Sequence, residues 1–313
     1  MILRGASRRR RRLNIGFLSG RRTLARVRAA SLSPETSKIM QPSRLALLCS
    51  FAVIALGVAA FIPLAGSAQS PPTPSASTDK ALIDDLVVAN HVLAEQGVLD
   101  AFGHVSVRHP GNPQRFLLSR SLAPALVRAD DIMEYDLDGN AIDPRGRASF
   151  LERFIHVEIY RARADVNAIV HSHAPAVLAF GTTQTPLRPI TLVAAFLSPR
   201  VPVFEIRRVA GMSNMLVSNP QLGHALAETL GANSVALMRG HGMVVAAPTL
   251  PLAVYRAIYT TINAKLETDA ISLGGLVTFL EPEEAETANK TLDQIHLRAW
   301  ELWKRQAQAN TCK

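Results

Sequence analysis

Cysteine is almost missing from these 313 residues: Cys49 and Cys312 are the only two, too few for a zinc ribbon or a disulfide framework. No G-x-G-x-x-G or G-x-x-x-x-G-K-[ST] run follows any apolar strand-like segment, so a nucleotide site has no support. Internal repeats are absent as well. Aromatic residues amount to 5%, but 48% hydrophobic and 19% charged residues still exclude collagen-like and wholly disordered chains. The net charge of +9 is confined to one end. Residues 1–39 hold eleven Lys/Arg and one acid, which leaves 23 basic and 24 acidic residues over 40–313. The body therefore lacks the basic surface that nucleic acid requires.

What is present is a segmented N-terminus. Arg8 to Arg12 head a basic leader over residues 1–39, which lies outside the translated protein if Met40 is the initiator. Residues 40–68 have a short basic start at Arg44, an apolar core over 45–64 and small residues before Ala68. This is the layout of a signal peptide cut after Ala68; the competing reading is an uncleaved membrane anchor. Either way the chain is expected to be exported, periplasmic or secreted, or held at a membrane by 45–64. A Pro/Ser-rich linker over 69–78 follows, and residues 79–313 have the size of one large domain.

Within that domain apolar periodicity predicts a helix over 80–96 ending at Gly97, and further helices over 150–163, 219–230, 250–271 and 283–308. Strands are expected over 105–107, 116–118, 132–137, 166–170, 201–206 and 234–238, with Asp138-Gly139 as a hairpin turn. Alternating helices and short strands indicate a layered α/β domain.

Three histidines stand where such strands run out. His171 and His173 are separated by one residue, and in an extended chain residues i and i+2 project to the same side, so both imidazoles can meet one ion. His241 follows the 234–238 strand between Gly240 and Gly242. The alternative is that H-x-H is only a polar strand end. Glu152 opens the helix before the H-x-H strand, where a solvated first-turn acid is the ordinary reading.

These stretches resemble the class II aldolase/adducin family over about residues 82–267. Phe102-Gly103-His104-Val105-Ser106-Val107-Arg108, Glu152 followed 19 residues later by His171-Ser172-His173, and Gly240-His241-Gly242 carry the likeness. The resemblance implies a three-layer α/β/α domain with a central, mainly antiparallel sheet. It also implies a divalent metal, zinc first and manganese second, held by His171, His173 and His241, with Glu152 as the proton-transfer residue. A homotetramer is implied in the same way. The chemistry would be carbon–carbon cleavage of a small-molecule substrate; a non-catalytic, adducin-like binding protein is the rival from another class, and a sugar-phosphate aldolase or epimerase is the third reading.

The family's sugar-phosphate members cradle phosphate with Gly-Asn and Ser-Ser pairs, and here those positions read Gly103-His104 and Phe150-Leu151. A phenyl and an isobutyl group offer no donor to a dianion. A non-phosphorylated hydroxylated carboxylate or carbonyl compound is expected instead, as in the family's branch of hydroxy-aromatic and pyridine carboxylate decarboxylases. His104, Ser119 and Arg120 are candidate substrate ligands, because an arginine can hold a carboxylate through two parallel hydrogen bonds. Against this, His104 reads equally as a core histidine and Arg120 as the partner of Asp130 or Asp131. His156, four residues after Glu152, either orients that carboxylate or is packed.

Overall fold

The computed structural model describes residues 76–311. The leader, the signal or anchor segment, and residues 69–75 of the linker lie outside the described residues. Residues 76–78, read as linker, form the first turn of helix α1 (Ala76–Glu95). No helix among the described residues is long and apolar enough to cross a membrane.

Seven strands make one sheet: β1 (His104–Arg108), β2 (Arg115–Ser119), β3 (Ile132–Asp136), β4 (Ala168–Ser172), β5 (Val203–Phe204), β6 (Val235–Met238) and β7 (Gly242–Ala247). Their order is β3-β2-β1-β4-β7-β6-β5, antiparallel throughout except for the β5–β6 pair.

The pleat sends alternate side chains to two cores. On one face Val105, Val107, Val170, Leu237 and Val245 pack against α1, α3 (Pro175–Thr182), α6 (Leu250–Leu273) and α8 (Leu297–Thr311). On the other, Phe116, Leu118, Ile169 and Val244 meet α2 (Phe154–Ala162) and α5 (Pro220–Leu230). The expected three-layer arrangement is therefore present. Helix starts follow local chemistry: the side chains of Asn219 and Thr249 accept from the backbone N–H of Leu222 and Leu252, with a proline in the first turn of each helix.

Four expectations shift. The helix expected over 150–163 begins at Phe154, preceded by a 3-10 turn (Leu151–Arg153) in which Glu152 adopts φ −88° and ψ 18°. The strand expected over 166–170 is displaced to Ala168–Ser172, so His171 lies inside the sheet. The strand over 201–206 shrinks to Val203–Phe204. The last helix breaks at His296 into α7 (Pro282–Ile295) and α8. Beyond the break, α8 carries Trp300 and Trp303 into the first core.

Candidate metal centre

The site forms where β1, β4 and β7 end together. His104 pairs with His171 across β1 and β4, and Ser172 pairs with Met243 across β4 and β7. Such close approach needs glycine. A Cβ on Gly242 would stand 1.9 Å from the Ser172 carbonyl oxygen, and one on Gly103 (φ +83°) would stand 2.8 Å from that of His171. The Ser172 hydroxyl donates to the Val98 carbonyl at 2.5 Å and accepts from the Ala174 N–H, which pins the end of β4.

His171 and His173 bring their Nε2 atoms to 2.9 Å, and His241, carried on the β6–β7 turn, brings its Nε2 to 3.1 Å from that of His173. Glu152 Oε2 lies 3.5 Å from His171 Nε2 and 3.3 Å from His241 Nε2. All four ligand atoms fall within 4.8 Å of one another. A tetrahedral ion with ligands at about 2.0–2.1 Å would separate them by roughly 3.3 Å, so the set needs adjustments of only tenths of an ångström between its close pairs.

The protonation chemistry agrees. His171 Nδ1–H donates to the Met243 carbonyl at 3.0 Å, which leaves the Nε2 lone pair facing the other ligands. Burial, followed by the neighbouring His171 and His241, pushes the His173 imidazole down to about 4, keeping it neutral near pH 7. Burial alone would raise the Glu152 carboxyl, but the adjoining His171 and His241 rings outweigh it and hold the group well below the usual carboxylate range. Its Oε1 accepts from the Val217 N–H at 2.9 Å, so Oε2 is the oxygen turned to the histidines. Three imidazoles with an anchored carboxylate form a donor set that suits a divalent metal, and Glu152, buried among them, is no solvated first-turn acid.

Beside the ligands opens a cavity of about 400 Å³ with Phe102, Phe150, Leu151, His104, Glu152 and His173 among its walls. Of the candidate substrate ligands, only His104 reaches it. The pairing of Ser106 with Leu118 puts both on the α2 face, so Ser119, one residue on, points to the opposite face. Its buried hydroxyl has no hydrogen-bond partner among the described residues. Arg120 bonds Asp131 at 2.6 Å and borders a separate cleft with His91 and Arg128. The ion-pair alternative for Arg120 is the one realised.

His156 is neither bonded to Glu152 nor merely packed: its Nε2 lies 2.6 Å from His104 Nδ1. Val217, Met243 and Tyr160 also support the site and carry no motif of their own, while Ser106 does so from within the 102–108 stretch. The only available signal was the coincidence of period 2 in β1 (His104, Ser106) with period 4 in α2 (His156, Tyr160).

His156 makes the fold acid-sensitive. Burial first and His171 second push its ring down to about 3 from an ordinary 6.5, and His104 and Ser106 of β1 are its polar neighbours. The folded chain keeps the ring neutral while the unfolded chain takes up a proton, so stability is intact above pH 6.5 and is lost as pH falls towards 3. Urea unfolding is expected to lose about 2 kcal/mol from this group between pH 7 and pH 5. His156→Gln should flatten that slope, and an unchanged slope would contradict the assignment.

A three-layer α/β domain with a histidine–carboxylate metal centre at the ends of its strands is the architecture of a metal-dependent lyase. The chain belongs to the class II aldolase and adducin family, whose N-terminal domain model matches residues 84–268. It is 36% identical over 241 residues to the decarboxylase TropJ of Talaromyces stipitatus, covering 70% of this chain and 91% of that one. Identity to the 3,4-dihydroxyphthalate decarboxylase of Arthrobacter keyseri is 35% over 207 residues, 61% and 79% of the two chains. L-fuculose 1-phosphate aldolase from Glaciozyma antarctica shares the fold, with a TM-score of 0.63 at 23% identity over 77% of this chain and 94% of that one. The protein is accordingly an enzyme, a class II aldolase-type carbon–carbon lyase that uses a divalent metal.

Proposed function

We propose that the chain decarboxylates a hydroxylated aromatic carboxylate seated in the cavity beside His104, Glu152 and His173. The observation that carries this reading is the cavity wall. Phe150 and Leu151 face it where sugar-phosphate enzymes of the family place hydroxyl donors, which suits the face of an aromatic ring and repels a phosphate dianion. Similarity to decarboxylases of known aromatic acids supports it.

The apolar wall packs against the face of the ring. Glu152 is anchored through Oε1 to the Val217 N–H, and Oε2, the oxygen beside His171 and His241, is the one that carries a proton. It takes the proton of the ring hydroxyl beside the carboxylate and delivers it to the carbon bearing that carboxylate. The bond to the carboxylate then breaks, its electron pair returns to the ring, CO₂ leaves, and the phenolate oxygen is reprotonated from water. When bound at His171, His173 and His241, a divalent ion supplies a Lewis acid that draws charge from adjacent substrate oxygens. Three imidazoles suit zinc first and manganese second. The working form is read as a homotetramer, as the resemblance implies, and the signal-like 40–68 segment supports export, or anchoring at a membrane by 45–64.

The test is CO₂ release from the zinc-loaded chain given 3,4-dihydroxyphthalate, dihydroxybenzoates and L-fuculose 1-phosphate. CO₂ is expected from acids with a hydroxyl next to the carboxylate, and no aldol cleavage of the sugar phosphate. Cleavage of the sugar phosphate with no CO₂ from any acid would overturn the proposal.

A further inference from the structure

Behind the cavity a line of polar side chains crosses an otherwise apolar core. His104 Nδ1 lies 2.6 Å from His156 Nε2, His156 Nδ1 lies 2.6 Å from the Ser106 hydroxyl, and that hydroxyl lies 2.8 Å from the Tyr160 hydroxyl. None of the four is more than 3% exposed. Each contact holds one hydrogen, so the line has a direction, and its far end decides which.

Burial pushes the Tyr160 phenol well above its ordinary range, so it keeps its proton and must donate it. Among the described residues its hydroxyl has one partner, Ser106. The cation stacked on its ring, Arg108, cannot accept; four of its five N–H groups go to the carbonyls of Pro113, Tyr160, Arg163 and Val166. Tyr160 therefore donates to Ser106, Ser106 to His156 Nδ1, and His156 Nε2–H to His104 Nδ1. The reverse order would leave the Tyr160 O–H buried and unpaired, at a cost of about 1–3 kcal/mol.

We propose that Tyr160, Ser106 and His156 form a one-way hydrogen-bond chain that fixes His104 as its Nε2–H tautomer, a neutral donor to a negatively charged substrate oxygen in the cavity. Ser106, His156 and Tyr160 are positioning residues; His104 alone touches the substrate. A neutral imidazole N–H strengthens its bond as charge develops on a phenolate or carboxylate oxygen, and it gives up no proton in doing so. The oxygen it meets rests on the proposed function; the tautomer does not.

The test is nitrogen NMR on the zinc-loaded full chain labelled with [¹⁵N]histidine, with His104→Gln and His156→Gln assigning signals by their loss. His104 is expected to show a protonated Nε2 and a bare Nδ1. Ser106→Ala should bring the other tautomer to a comparable population, and Ser106→Thr, which keeps the hydroxyl, should restore the single form. A wild-type His104 protonated at Nδ1, or a Ser106→Ala pattern identical to wild type, would overturn the proposal.

In turnover of the acid panel, His104→Leu should lose on the order of 10²–10³ in kcat, while His104→Gln, which keeps an N–H donor, should recover about tenfold. Equal losses in the two variants would remove the donor role. A wild type that turns over none of the acids fails the proposed function and leaves the tautomer spectrum to decide this one.

Discussion

Replacing His171 with alanine is expected to reduce bound metal from near one ion per chain to below about a tenth after dialysis, since the ring is one of three neutral imidazole donors. His171 is tied into the site through both ring nitrogens. Its Nε2 is 2.9 Å from that of His173 and 3.5 Å from Glu152 Oε2, while its Nδ1 is tethered to the Met243 carbonyl. Binding free energies of structural zinc run to roughly 10–16 kcal/mol, so losing one of three donors removes several kcal/mol, on the order of 10³ in affinity. Lyase activity should fall with it. Elemental analysis of wild type, His171→Ala and His224→Ala checks this. His224 is 63% exposed at its side chain and far weaker in its connections, so its variant should keep the metal. Full metal retention by His171→Ala would sink the site assignment.

Glu152→Gln should separate binding from proton transfer. The amide oxygen can still accept from the Val217 N–H, so the 3-10 turn keeps its anchor, but the negative charge facing His171 and His241 is gone. Loss of a positioned proton carrier typically lowers turnover by about 10²–10⁴, and that range is expected here. Three imidazoles remain, so metal content at saturating zinc should stay near wild type. If metal and activity disappeared together, Glu152 would be a ligand first and the proton route would need another carrier. The two variants thus differ in one readout, metal content, while both lose activity.

Much of the centre was legible because its logic is local. His171 and His173 share a side by the two-residue repeat of an extended chain, Gly240 and Gly242 bracket His241, and Phe150-Leu151 marks an apolar wall where donors would hold phosphate. The two-faced sheet was legible for the same reason, since Val105, Val107 and their partners alternate with polar or second-core positions.

What the residues alone decided is the kind of chemistry: which side chains can ligate a metal, which can carry a proton, and which repel a dianion. Tertiary structure decided the company each one keeps. The register of β2 turns Ser119 away from the cavity, and the capping position of Asp131 takes up Arg120, although both read as substrate ligands. The phase of α2 against β1 brings His156 to His104 and Tyr160 to Ser106, partners 52 and 54 positions apart in the chain. A period repeats along one segment and says nothing about the offset between two; that offset is set by how the apolar faces of strand and helix interlock.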